Sequence, residues 1–311
     1  MHYVFGALPS CCTAASGTIL HNNMTEPRLR HVRCIDPTGL HRMAYWEWGQ
    51  ADNPNVVVCA HGLARQGRDF DTLARELSRD FRVVCPDVVG RGQSDWLRDP
   101  MGYAVPTYVA DMVTLIARLD VEQVAWVGTS MGGLIGMALA SLPGTPVRRL
   151  VLNDVGPVIE PAAIARIATY VGQPAHWDTV EQAAADLWQI STSFGPHTPE
   201  QWLALTRPQL KAAPQGGWML HYDPGLAAPV RAATPELLKM GEALLWRSYD
   251  AISCPTLLLR GAESDLLSHA TAEAMTQRGP RARLVELAGI GHAPTLVAPD
   301  QVQRVADFLR S

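Results

Sequence analysis

The stretch "VAWVGTSMGG", residues 124–133, decides how this chain is read. Residues 124–127 are an apolar run of the kind that forms a buried strand. Small residues then gather around Ser130, with Gly128 two positions before it, Gly132 two after and Gly133 next. This G-x-S-x-G spacing suits a strand that turns directly into a helix. The backbone there is so crowded that the positions flanking the serine must be glycine-sized. A serine on such a turn stands above the carboxyl end of a sheet, where open α/β sheets place their ligands. The pattern alone is also met by ordinary turn serines, so its context has to decide.

That context is an alternation of strands and helices. "NVVVCAHG" (55–62) and "FRVVCPD" (81–87) precede the serine, and "RRLVLND" (148–154), "CPTLLLRG" (254–261) and "ARLVELAG" (282–289) follow it. Near-continuous apolar strands are expected where both faces of a parallel sheet are covered. Between them run helical stripes, such as Phe70, Leu73, Ala74 and Leu77, then Val109, Met112, Val113, Ile116 and Leu119. Further helices are predicted near 268–277 and 299–310. "RHVRCID" and "HRMAYWEWG", separated by Pro37 and Gly39, read as an antiparallel pair. The expectation is an α/β fold: a mostly parallel, doubly wound sheet of about eight strands.

From about 158 to 248 the alternation stops. Helix starts appear instead at Glu160-Pro161, Asp178 with Glu181, Thr198-Pro199 and Thr234-Pro235. Five of the nine tryptophans (177, 188, 202, 218 and 246) fall here. The expected organisation is a core of residues 25–157 and 249–311 with a helical cap, or lid, of residues 158–248 inserted after the sixth strand. Residues 1–24 lack a basic start and a long apolar run, and are expected to be a disordered leader.

Composition narrows the function. Of 311 residues, 47% are hydrophobic and 18% charged, with a formal net charge of −4. No apolar run approaches the roughly 20 residues of a membrane span. Nothing in this balance points to nucleic acid or an anionic membrane. The six cysteines show no metal-ligand spacing, and Cys59, Cys85 and Cys254 lie in or beside apolar runs, as reduced thiols of a cytoplasmic protein would.

Several motifs in order then make the chain resemble the α/β-hydrolase fold family, in its capped serine-hydrolase branch, over nearly everything from residue 30 onward. "AHGLAR" (60–65) is similar to the family's His-Gly turn after the third strand, and "PDVVGRGQSD" (86–95) to its D-x-x-G-x-G-x-S turn after the fourth. "GTSMGG" resembles its nucleophile turn, with Thr129 where many relatives carry histidine. "GAESDLL" (261–267) resembles the acid turn after the seventh strand, and "GIGHAP" (289–294) the histidine turn after the last.

The resemblance implies a serine hydrolase working through an acyl-enzyme. Ser130 needs a base to take its proton, and His292, following the last strand, is the base expected. Asp265 is the acid expected to orient it. Asp154 is the rival, since some relatives place the acid after the sixth strand, and Glu263 is a weaker third. The backbone N–H groups of Leu63 and Met131 would hold the oxyanion. Arg65 could steer a substrate carboxylate, and Thr129 could touch the substrate. Serine at the turn argues against the dehalogenase and epoxide-hydrolase relatives, which use aspartate there. The expected reaction is cleavage of small to medium carboxylic esters, with no metal or organic cofactor. A carbon–carbon hydrolase acting on ring-cleavage diketones is the alternative, and a ligand-binding receptor on the same fold is a further one. The partner expected is a small ester or ketone, with no nucleic acid and no membrane span.

Overall fold

In the computed structural model, which describes residues 26–311, the apolar run before Ser130 is strand β5 (Val124–Thr129), lying between β3 (Val56–Ala60) and β6 (Val147–Asn153). Five further strands complete the sheet: β1 (Arg28–Asp36), β2 (Gly39–Trp48), β4 (Arg82–Asp87), β9 (Thr256–Gly261) and β10 (Arg283–Leu287). The order is β1-β2-β4-β3-β5-β6-β9-β10. The β1/β2 and β2/β4 pairings are antiparallel and the rest parallel. The leader expected over residues 1–24 lies outside the described residues.

Period-two burial builds the layers. Val56, Val58, Trp126, Leu150, Leu152 and Leu258 face one core, with side chains from α2 (Val105–Leu119) and α3 (Met131–Ala140). Val57, Cys59, Ala125, Val127, Val151 and Leu257 face the other, with α1 (Asp71–Leu77) and the C-terminal helix α9 (Pro299–Arg310). Each fully buried Val or Leu contributes about 1.5–3 kcal/mol. Burial on both faces is why these strands read as continuous apolar runs rather than alternating ones.

Between β6 and β9 the chain forms α4 (Pro161–Tyr170), α5 (Val180–Gln189), α6 (Pro199–Thr206), α7 (Ala227–Arg231) and α8 (Pro235–Ala251). Thr179 and Thr198 open α5 and α6 with full capping boxes to Gln182 and Gln201. The α5 cap therefore sits one residue later than the Asp178/Glu181 pair suggested. A short ribbon, β7 (Leu210–Ala212) with β8 (Trp218–Leu220), also forms here. Three residues per strand are too few to leave a legible alternation. Trp177 and Trp202 are buried in two small cores of this segment, and Trp202 meets Trp188 edge-on with 5.0 Å between ring centroids.

Candidate active site

The glycines around Ser130 are required by close approach. A Cβ on Gly128 would lie 2.2 Å from the carbonyl oxygen of Gly132, and one on Gly132 would lie 1.9 Å from that of Ala60 in β3. The strand can thus turn into α3 only with bare backbone at both points. Ser130 itself adopts φ 50° and ψ −116°. This is left-handed space that a side-chain-bearing residue rarely occupies, and the strain is held by the packed strand and helix on either side.

Three side chains meet above the sheet. His292 Nε2 is 3.0 Å from Ser130 Oγ, and His292 Nδ1 is 2.7 Å from Asp154 Oδ2. Asp154 follows β6 directly and is fully buried. Its Oδ1 accepts the Gly261 backbone N–H at 2.9 Å, and its Oδ2 also accepts the Ser264 hydroxyl at 2.7 Å. A carboxylate at Nδ1 fixes that nitrogen as the donor and leaves Nε2 to accept the serine proton.

Asp265, the acid expected from sequence, is not part of this group. Its carboxylate accepts from Arg166 Nε at 2.8 Å and from Nη2 at 2.9 Å, on a half-exposed surface. The turn after β9 does contribute to the cluster, through Ser264 rather than its acidic neighbours. Physical position separates the two aspartates: Asp154 is the first residue beyond its strand, whereas Asp265 lies four beyond Gly261 and its side chain turns outward. Both acids follow strands with buried carboxyl ends, so the sequence held no signal that separates them.

Leu63 and Met131, expected from sequence to face an oxyanion, also occupy defined positions. Met131 opens α3, where a helical N–H has no intrahelical partner. Leu63 follows Gly62 in the turn after β3, and Gly62 and Leu63 line the same cavity as Ser130 and His292. His61 anchors this turn: its Nδ1 donates to the Gly62 carbonyl at 2.7 Å, and its Nε2 accepts the Val88 N–H at 2.9 Å. Burial, reinforced by the nearby Arg91 charge, pushes its pKa down to about 3, so it stays neutral.

Arg91 is a residue that sequence reasoning missed. It is fully buried, and among the described residues no carboxylate pairs with it. Its Nε donates to the Leu63 carbonyl at 2.8 Å, its Nη1 donates to the Val89 carbonyl at 2.7 Å, and its Nη2 lies 3.2 Å from Met131 Sδ. It thus ties together the two residues whose N–H groups would face an oxyanion. The only sequence trace was an arginine between two glycines in the turn after β4.

Arg65 lines the cavity but is gripped by Asp69, through Nε at 2.6 Å and Nη2 at 2.9 Å. Thr129 Oγ1 accepts from Asn153 Nδ2 at 2.9 Å, joining β5 to β6 at the cavity floor. The cavity is about 300 Å³ and mostly apolar, roofed by Ile167, Val171, Trp177 and Leu187 from the segment after β6. Its charged lining is Arg65, Arg166 and Asp186. Away from it, Cys34, His41 and Asp111 form a buried cluster with donor types a cation could use. Both ring nitrogens of His41 there already meet carboxylates, Asp36 and Asp111, at 3.0 Å.

Residues 55–299 match the family described as alpha/beta hydrolase fold. The chain belongs to that family and is a hydrolase of its ester-cleaving kind. It is 58% identical over 287 residues to the 3-hydroxybutyrate-oligomer hydrolase of Cupriavidus necator, covering 91% of this chain and 98% of that protein. It is 28% identical over 262 residues to Esterase YbfF of Escherichia coli, covering 81% and 91%. A crystal structure of an alpha/beta hydrolase from Novosphingobium aromaticivorans superposes with a TM-score of 0.80 at 36% identity, covering 92% and 98%. These relatives do not favour the carbon–carbon alternative. Among the described residues, no helix is long and apolar enough to cross a membrane.

Proposed function

We propose that this enzyme hydrolyses short esters of hydroxy acids, oligomers of 3-hydroxybutyrate foremost, with Ser130, His292 and Asp154 as its catalytic triad. The observation that carries the mechanism is the unbroken chain Ser130 Oγ–His292 Nε2–His292 Nδ1–Asp154 Oδ2, with links of 3.0 and 2.7 Å. Ser130 Oγ attacks the ester carbonyl carbon as His292 Nε2 takes its proton. Asp154 holds the Nδ1 proton and stabilises the imidazolium. The N–H groups of Leu63 and Met131 receive the oxyanion. Collapse breaks the bond to the leaving alcohol, to which His292 returns the proton. Water, deprotonated by His292, then releases the acyl group as the free acid.

The substrate rests on the 58% identity over almost the whole of the Cupriavidus relative, together with an apolar cavity of a size suited to short chains. Residues 158–248 act as the lid over that cavity, on a core formed by the remainder. The cytoplasm is the proposed compartment, supported by the free thiols Cys34, Cys59, Cys85 and Cys254. The test is a fluorophosphonate probe followed by peptide mapping, with release of 3-hydroxybutyrate from its dimer and trimer measured in parallel. The adduct is expected on Ser130, and its loss in Ser130→Ala should abolish oligomer cleavage. An adduct on another serine would overturn the mechanism. Esters cleaved with both oligomers inert would overturn the substrate.

A further inference from the structure

Every free-acid oligomer of a hydroxy acid carries a carboxylate on the part that leaves as alcohol. A mostly apolar cavity must compensate that charge or reject it. The wall offers two guanidinium groups. Arg65 is only 16% exposed, as is its partner Asp69, and it sits 5.8 Å from the Phe194 ring centroid, so its charge is compensated within a dry contact. Arg166, on α4, is 38% exposed and its partner Asp265 is 49% exposed. An ion pair so open to water is weak and screened, and it can be shared at little cost. Asp265 uses Nε and one hydrogen of Nη2. Asp265 leaves two N–H bonds on Nη1 and one on Nη2, and the Tyr170 hydroxyl, also on the cavity wall, lies beside the fork as a neutral partner that a carboxylate would share or displace. The remaining charged group on the wall, Asp186, accepts the Trp177 indole N–H at 2.8 Å and repels an anion from its own part of the cavity.

We infer that Arg166, oriented by Asp265, is the residue that reads the terminal carboxylate of the substrate, so the enzyme selects free-acid oligomers over the same oligomers with a blocked acid end. This rests on the substrate reading given above. It also gives a role to the aspartate that sequence placed in the triad: Asp265 acts on the substrate's charge through Arg166, not on His292.

The test compares the free acid of a linear 3-hydroxybutyrate trimer with its methyl ester, as kcat and KM for the full-length wild type, Arg166→Gln, Arg166→Lys and Arg65→Gln. Arg166→Gln should lower the free-acid to methyl-ester ratio of kcat/KM by about tenfold, the scale of one charge-assisted hydrogen bond. The loss should fall mainly on KM of the free acid. Arg166→Lys should recover part of the ratio, which a purely structural role would not produce. The wild-type ratio should fall as salt is raised, because the pair is exposed. Cleavage of both trimers with an unchanged ratio in Arg166→Gln overturns this inference alone, as does a ratio lost in Arg65→Gln instead. A wild-type enzyme inert toward both trimers overturns the substrate reading and this inference with it.

Discussion

At Asp154 three donors converge on one buried carboxylate: the Gly261 N–H, the Ser264 hydroxyl and the His292 Nδ1–H. Such convergence fixes the carboxylate against His292 Nδ1, as the proposed triad requires, whereas Asp265 is turned outward to Arg166. Arg91 works at the same scale, against Leu63 and Met131, the residues proposed to hold the oxyanion. Arg91→Met removes the donor to the Leu63 carbonyl, and kcat for p-nitrophenyl butyrate should fall about tenfold or more with little change in KM, the pattern of an interaction felt in the transition state. An unchanged kcat, with the thermal midpoint lowered, would make Arg91 a packing residue only. Ser130 and His292 were legible in the sequence because the glycines around them leave a spacing. The acid was not, since Asp154, Glu263 and Asp265 all stand just beyond buried strands. Which of them reaches the imidazole depends on backbone direction in two turns, and Asp154's φ of 55° is not written in any local pattern.

Between elements, the fit of α3 against β3 leaves no room for a methyl group. Gly132→Ala should therefore lower stability by about 3 kcal/mol or more, read from urea denaturation, since overpacking against backbone cannot be relieved by a rotamer. A loss below 1 kcal/mol would mean that the helix can back away from the strand. A second element contact is sensitive to pH. His41, at the β1/β2 hairpin, is flanked by Asp36 and by Asp111 of α2, with Cys34 beside them. Burial lowers its pKa, but the hydrogen bonds and charges of Asp111 and Asp36 outweigh it and hold the pKa above 6.5. This raised value means the clamp's stabilisation is complete below pH 6.5 and is lost as pH rises through the folded-state pKa. The stability gap between wild type and His41→Gln should thus be wider at pH 6 than at pH 9. A gap that does not change with pH would show that His41 packs without carrying charge. Helix starts were legible where a capping residue precedes proline. The β7/β8 ribbon was not, because its pairing is set by chain reversal around Gly216 and Gly217 rather than by periodicity.

Across the whole molecule, 162 residues separate Ser130 from His292, and the parallel sheet brings them together at its carboxyl edge. The succession of the central strands along the chain was readable because both their faces are covered and their runs are largely apolar. The sheet order and the shape of the cavity under the helices after β6 were not, because they depend on contacts between segments far apart in the chain. What the fold achieves at this scale is the joining of three turns, after β5, β6 and β10, into one hydrogen-bonded chain, the proton path of the proposed mechanism. The most direct test is kcat for p-nitrophenyl butyrate in Asp154→Asn beside Asp265→Asn. Asp154→Asn should lose about 10³–10⁴-fold, the scale on which triads depend on their carboxylate, and Asp265→Asn at least a hundredfold less than that. The larger loss in Asp265→Asn would contradict the triad described here.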